Sequence, residues 1–131
     1  MKNPSLLLLS LFLFQSCGVF ENEQNDIEGC PFVLDVAETM PQLNGGLAEL
    51  QRRVVYPQEA LENSIEGRVT IGFIVNKEGI PIEPRLIRGI GYGTYEASKK
   101  AVLESTFRNG EQDGEPVCIN YSLPIVFRLQ N

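Results

Sequence analysis

The sequence predicts one α+β domain in which short helices pack on one face of a three-stranded antiparallel sheet. Apolar residues alternate without a miss over residues 117–129, which is the pattern of a long strand. Two further strand-like runs are separated by the turn-forming residues 76–79, and together they predict a hairpin. Helical spacing of apolar residues occurs before and after that hairpin. A chain of 131 residues, 43% of them hydrophobic, has room for one such core.

The first part of the domain predicts one short strand and two short helices. Apolar and polar residues alternate over residues 32–36, so an extra N-terminal strand is expected there. Apolar residues at i, i+3 and i+7 over residues 47–55 predict an amphipathic helix. A second helix is expected over residues 57–63. Pro57 suits a first helical position, and it forces the residue before it out of the helical conformation.

The hairpin, a third helix and the last strand complete the prediction. Residues 68–75 and 80–90 are the expected hairpin strands, residues 94–106 predict a helix and residues 110–116 predict a loop. A strand–helix–strand crossover is long enough to skip a strand, so we expect the sheet order 2-1-3 with the last strand at an edge. Pro124 agrees, because a strand proline is tolerated where its missing N–H faces no partner.

The first 17 residues resemble a signal peptide. Lys2 precedes an apolar run over residues 6–14, which is far shorter than the roughly 20 residues of a membrane-spanning helix. The run leads to Ser16 and Cys17, an ending similar to a bacterial lipobox, so we expect a lipid on Cys17. Ordinary signal cleavage and an N-terminus that is simply buried are the alternatives. The polar and acidic residues 18–31 are expected to be a tether, which leaves residues 32–131 as the domain.

The two other cysteines, Cys30 and Cys118, fit either a disulfide or two unrelated buried thiols. A disulfide suits the oxidising compartment to which a signal peptide leads. We hypothesise that residues 30–36 pair with the last strand and that the disulfide fastens them there. The N-terminal segment would then occupy the sheet edge that a partner would use.

The sequence gives no support for catalysis, a cofactor, a metal or nucleic-acid binding. It has no histidine, no nucleophile elbow and no phosphate-binding loop. Residues 89–93 lack the spacing of a dinucleotide loop, and the acidic residues over 111–115 are too few for a calcium loop. The formal net charge is −6 and the basic residues are not clustered. We therefore expect neither an enzyme nor a nucleic-acid-binding protein.

Three stretches, in this order, resemble the TonB C-terminal domain family. They are "YPQEALENSIEGRVTIGFIVNKEG", "GIGYGTYEASKKAVLES" and "PVCINYSLPIVFRL". The family pattern opens with Y-P-x-x-A and closes with a strand ending P-I-x-F-x-L. The resemblance covers residues 32–129, and "VAETMPQLNGG" is similar to the lead-in of Bacteroidota members. Phe107 stands where the family usually has a tryptophan.

The resemblance implies a periplasmic module that binds a short segment of outer-membrane receptors by adding it as a strand beside its own last strand. The implied partner-binding residues are Val117, Cys118, Ile119, Asn120, Tyr121, Ser122 and Leu123, with Tyr56 and Pro57 as the signature joint. The structural alternative for Tyr121 is that its side chain belongs to the core. The structural alternative for Tyr56 is that its side chain only fastens a helix to the sheet.

A lipid on Cys17 would place this module on the periplasmic side of the cell envelope, at the outer membrane in preference to the inner one. Such a module would take part in TonB-dependent transport without transducing energy itself. Two alternatives stay open. One is a full energy transducer with an uncleaved N-terminal anchor. The other is a structural envelope lipoprotein that associates with itself, as a homodimer, through an open sheet edge.

Overall fold

The computed structural model describes residues 29–130. The predicted signal peptide, the predicted lipidation site Cys17 and all but the end of the predicted acidic tether lie outside these residues. Within them the elements are, in chain order, β1 Val33–Leu34, β2 Gln42–Leu43, α1 Gly46–Arg53, α2 Gln58–Glu62, β3 Gly67–Val75, β4 Pro81–Arg88, α3 Thr94–Leu103, β5 Phe107–Arg108, β6 Gly110–Gln112 and β7 Glu115–Phe127.

Five strands form the main sheet, in the order β1-β7-β3-β4, and β6 also pairs with β7. The long antiparallel pair of β3 and β7 runs in unbroken register from Gly67 opposite Phe127 to Val75 opposite Ile119. On its other side β3 pairs with β4 through a register with two irregularities. The two-residue strand β1 runs parallel to β7. Strands β2 and β5 form a separate two-stranded sheet.

The predicted α+β class is confirmed, but the three-stranded antiparallel sheet was wrong in strand count and in full order. Strands β4, β3 and β7 are neighbours, as the hairpin and the crossover required. The short strands β1 and β6 add to β7, and the parallel β1 makes the sheet mixed. The last strand is therefore not a free edge along its whole length.

The predicted loop over residues 110–116 is largely a second hairpin. Strands β6 and β7 pair up to Gln112 and Glu115, so two residues form the connection. Those residues, Asp113 and Gly114, have φ values of 55° and 77°. Two consecutive positive φ angles match the right-handed twist of the flanking strands, which is why Asp-Gly is favoured in two-residue hairpins.

The main hydrophobic core lies between the helices and one face of β3 and β7. Helix α1 contributes Leu50, and helix α3 contributes Ala101 and Val102. Alternate residues of the two strands face them, as the period of two requires. These are Val69, Ile71, Phe73, Val75, Leu123, Ile125 and Phe127.

Strand β5 brings Phe107 into this core, at the position where the family pattern has tryptophan. The Phe107 ring lies 5.4 Å from that of Phe73 between centroids. The Phe107 N–H donates to the Gly79 carbonyl oxygen at 2.8 Å. A Cβ at Gly79, whose φ is 80°, would lie 2.1 Å from the Phe107 oxygen. Only glycine fits this approach, so the β3–β4 turn is held against β5.

A smaller cluster on the opposite face of the sheet joins the N-terminal segment to β7. Buried Ile74 packs there with Cys30 and Cys118. The two cysteines form a disulfide with 5.8 Å between their Cα atoms, within the ordinary range. Of the two interpretations left open for these cysteines, the disulfide is the one present. The hypothesised pairing is also present, with Val33 opposite Cys118 and Leu34 opposite Ile119.

Candidate partner-binding edge of β7

The side chain of Gln51 in α1 shows which backbone groups of β7 face away from β3. Its amide oxygen accepts the Val126 N–H at 2.7 Å, and its amide nitrogen donates to the Val126 carbonyl oxygen at 3.1 Å. In an antiparallel pair, consecutive residues direct these groups to opposite sides. Since the β3–β7 register is unbroken, the backbone groups of residues 120, 122 and 124 also face outward.

These outward groups define a section of β7 that we call the open edge, residues 120–126. Within residues 29–130, no strand pairs with the outer side of β7 beyond Ile119. Ser122 is exposed and offers both its N–H and its carbonyl oxygen. Pro124 occupies the next outward position, where its missing N–H breaks no ladder hydrogen bond. The open edge ends at Val126, whose backbone groups Gln51 occupies.

Strand β1 covers the part of β7 that precedes the open edge. It pairs with Cys118 and Ile119, both of which are fully buried. The alternation along β7 directs the backbone groups of Cys118 and the Asn120 N–H towards β1. The Asn120 side chain adds a hydrogen bond from Nδ2 to Asp35 Oδ1 at 2.8 Å. The outer side of β7 is therefore occupied by a strand at one end and by a glutamine side chain at the other.

The two faces flanking the open edge differ in chemistry. On the core face, the Tyr121 ring lies 6.0 Å from Phe73 and 5.8 Å from Phe107 between centroids. Tyr121 is thus half-buried in the core, the role named above as its structural alternative. On the opposite face, Asn120 and Ser122 line a shallow cavity with Arg85 and Ile87 of β4.

The joint at Tyr56 and Pro57 lies at the far end of β7. The Tyr56 hydroxyl donates to the Ile65 carbonyl oxygen, and its ring packs edge-on against Phe127 with 5.3 Å between centroids. Pro57 precedes α2 with φ −65°. Burial, and after it the Glu66 carboxylate, raises the pKa of the Tyr56 phenol. Tyr56 therefore staples the entry of α2 to the sheet.

The predicted partner-binding residues do not form one cluster. Val117 pairs with β6, and Cys118 and Ile119 pair with β1. The remaining strand residues, Asn120, Tyr121, Ser122 and Leu123, lie on the open edge. The Tyr56 joint contacts a residue four positions further along β7, which is about 13 Å in an extended strand.

Sequence reasoning missed Gln51, which closes one end of the open edge. Gln51, Tyr56, Val126 and Arg128 line a cavity of about 330 Å³ that joins the signature joint to this end of β7. The helical pattern around Gln51 marks it only as a polar position next to buried Leu50. No local signal shows that its amide reaches a backbone 75 residues away.

Two properties of residues 29–130 bear on other functions. Among these residues, no group of three or more His, Cys, Asp or Glu side chains is placed to hold a metal ion. In that same part of the chain, no helix has the length and apolar character needed to cross a membrane.

Comparison with known proteins gives a matching family model and similar solved structures. Residues 52–129 match the family model described as Gram-negative bacterial TonB protein C-terminal. A solved structure of the TonB CTD from Pseudomonas aeruginosa, determined by solution NMR, is similar with a TM-score of 0.49 and 20% sequence identity. That match covers 59% of this chain and 79% of the Pseudomonas chain. No curated protein matches the sequence. The family match includes the joint at Tyr56 and Pro57 and all of β7.

Proposed function

Since this chain belongs to the TonB C-terminal domain family, we propose that it is a lipid-anchored module that binds outer-membrane receptor segments by strand addition. The family itself indicates a TonB-like protein-interaction module of the cell envelope, linked to transport. The observation that most directly supports strand addition is the open edge of β7. Its outward backbone groups at Ser122 and Pro124 have no partner strand within residues 29–130.

An extended segment laid beside this edge would gain main-chain hydrogen bonds first. Ser122 offers a donor and an acceptor, and the carbonyl oxygens of Asn120 and Pro124 are further acceptors. Each such bond contributes a net of about 0.5–1.5 kcal/mol, so the edge as it stands supports weak, reversible binding. Side chains of the segment would alternate between the aromatic face at Tyr121 and the polar face at Asn120 and Ser122. Selectivity then favours segments that alternate apolar and polar residues.

A lipid on Cys17 would keep the domain close to the membrane. Residues 18–31 would then be the tether between this lipid and the domain. An anchored domain of this kind would meet short receptor segments on the periplasmic side of the outer membrane. Mass spectrometry of the mature protein tests the anchor directly. Diacylglycerol on an N-terminal Cys17 supports the proposal, whereas a mature chain that retains Met1 supports an uncleaved energy transducer.

Self-association is the second candidate function, and β4 gives it a structural basis. Strand β4 lies at the other edge of the sheet. It exposes Leu86 by 46% and Ile87 by 53%. Two copies could bury these side chains by pairing their β4 edges. Sedimentation velocity tests self-association directly, because a homodimer has a larger sedimentation coefficient than a monomer. A homodimer through β4 would still leave the β7 edge free to bind a peptide.

The decisive experiment alters one outward N–H of the open edge. Fluorescently labelled synthetic peptides that span the periplasmic N-terminal segments of outer-membrane receptors from the same organism are titrated with the purified protein. Ser122→Pro removes the N–H that an added strand would use, and Ser122→Ala removes only the hydroxyl. We expect Ser122→Pro to weaken peptide binding by about tenfold and Ser122→Ala to leave it nearly unchanged. Equal binding by the two variants contradicts strand addition at β7.

A further inference from the structure

The segment over residues 29–39, which we call the strap, holds β1 on β7 through several contacts. Beyond the disulfide and the two paired positions, Asp35 accepts a hydrogen bond from Asn120. The Glu38 N–H donates to Gln112 Oε1 at 2.9 Å, and the Asp113 N–H donates to Glu38 Oε1 at 3.0 Å. Thr39 forms an antiparallel bridge with Glu111.

The non-covalent contacts of β1 itself are few. Only two of its residues pair with β7, and both are half-buried. The neighbouring apolar side chains add little burial, since Phe32 is 80% exposed and Val36 is 76% exposed. A strand of two residues is shorter than most strands in globular proteins, so its main-chain pairing alone contributes little stability. The disulfide keeps β1 beside β7 at a high effective concentration, so its pairing is favoured without strong contacts.

The backbone groups that β1 uses are those that a longer partner strand would need. β1 occupies the outer side at Cys118 and Ile119 and takes the Asn120 N–H. Strands of the usual length pair over five or six residues. With β1 in place and Gln51 on Val126, the free outward groups within residues 29–130 are those of Ser122 and the carbonyl oxygens of Asn120 and Pro124. A segment of five residues therefore binds fully only after β1 has left.

We propose that the strap is an intramolecular competitor for the receptor-binding edge and that the Cys30–Cys118 bond determines whether the edge is occupied or open. This inference rests on the proposed function, because it assigns a form of regulation to the same edge. In the oxidised protein β1 holds the N-terminal end of that edge. In the reduced protein β1 dissociates readily, and a partner strand can pair along residues 118–124.

The opening step is thiol–disulfide exchange with a dithiol. One thiolate of the dithiol attacks a sulfur of the disulfide and forms a mixed disulfide, and its second thiol then releases the protein. The protein gains two electrons and two protons as two thiols, and the dithiol becomes a disulfide. Because Cys30 is 3% exposed and Cys118 is 0% exposed, attack requires local opening of the strap. A peptide that displaces β1 would therefore also speed the reduction.

The test compares peptide affinity in the full mature chain with the strap fastened and released. The double variant Cys30→Ser with Cys118→Ser removes the covalent link between the strap and β7. Leu34→Pro keeps the disulfide and removes an N–H from β1. We expect both variants to bind the receptor peptides of the titration above at least about tenfold more tightly than the oxidised wild type. Phe32→Ser is the matched control, because its side chain is exposed on the strap, and its affinity should equal that of the wild type.

Amide hydrogen exchange separates failure of this inference from failure of the proposed function. In the double cysteine variant we expect exchange at Asn120 to accelerate at least about tenfold, with Val69 in the middle of the sheet unchanged. Unchanged exchange at Asn120 overturns the inference whatever the peptides do. Accelerated exchange with equal peptide affinity in all variants also overturns it, while the proposed function stands. If no variant binds any peptide, the proposed function fails, and the inference fails with it as a form of receptor regulation.

Discussion

Replacing the half-buried Gln51 by alanine should destabilise the domain more than the loss of an exposed polar side chain would. The side chain makes two hydrogen bonds to one backbone residue, Val126, at 2.7 and 3.1 Å. A typical net contribution is about 1 kcal/mol for each bond, and partial access of water to the site reduces the loss. We therefore expect Gln51→Ala to lower the free energy of unfolding by about 1.5 kcal/mol. For a domain of this size that corresponds to a fall in Tm of about 6–12 °C.

Two variants make this measurement specific. Gln51→Glu keeps an acceptor for the Val126 N–H but turns a carboxylate towards the Val126 carbonyl oxygen, so we expect a loss at least as large at neutral pH. Gln58→Ala is the matched control, because the Gln58 amide contacts only an exposed carboxylate, at 3.2 Å. Its effect should lie within about 0.5 kcal/mol. Urea denaturation and calorimetry give both quantities. Equal stability of Gln51→Ala and Gln58→Ala would refute the assignment of Gln51 as a cap on the edge.

Three further predictions concern the disulfide, a turn and an ionisable side chain. Replacing Cys30 and Cys118 by serine opens a loop with a sequence separation of 88. The free energy of unfolding, measured in urea, should fall by about 4–5 kcal/mol. A fall equal to that of a single exposed substitution would contradict the cross-link. Gly79→Ala should lower the free energy of unfolding by about 3 kcal/mol or more, and Gly91→Ala by about 1 kcal/mol. Both glycines have positive φ, but of the two only a Cβ at position 79 would meet another backbone segment. Similar melting temperatures of the two variants would contradict the close approach. The raised pKa favours the protonated Tyr56 phenol in the folded state, so the free energy of unfolding should decline as the pH rises above about 10. The decline should be smaller for the Tyr56→Phe variant. Parallel curves of stability against pH for the wild type and the variant would argue against this.

The hairpin and the long strand could be predicted because their periodicity reflects burial on one face. The alternation from Tyr121 to Phe127 arises because every second side chain packs in the core with the helices, and the same holds for β3 from Val69 to Val75. The position of Pro124 was also predicted correctly. A proline is tolerated in a strand mainly where its missing N–H faces no partner strand, and Pro124 lies at such an outward position. The family and the α+β class follow from these long elements and from the order of the motifs.

The short elements were harder to predict because long-range contacts create them. The hairpin at Asp113 and Gly114 does carry a local signal, the Asp-Gly pair, which the prediction of a loop did not use. Strands β2 and β5 have only two residues each, so no alternation marks them. The N-terminal strand was expected, but its partner depended on a disulfide that spacing alone does not specify. Gln51 shows the same limit, since its role depends on where β7 passes in space.

The disulfide also determines how tension would pass through the molecule. A pull on the chain from the N-terminal side of Cys30 reaches Cys118 through a covalent bond, without loading the hydrogen bonds of β1. The residues between the two cysteines, which include the helices and the central hairpin, lie inside a closed loop and carry no extending force. The load would enter β7 directly and run along the same strand that offers the open edge. Where such a pull is directed along β7, a partner paired there would be loaded in shear, and several hydrogen bonds would have to break together.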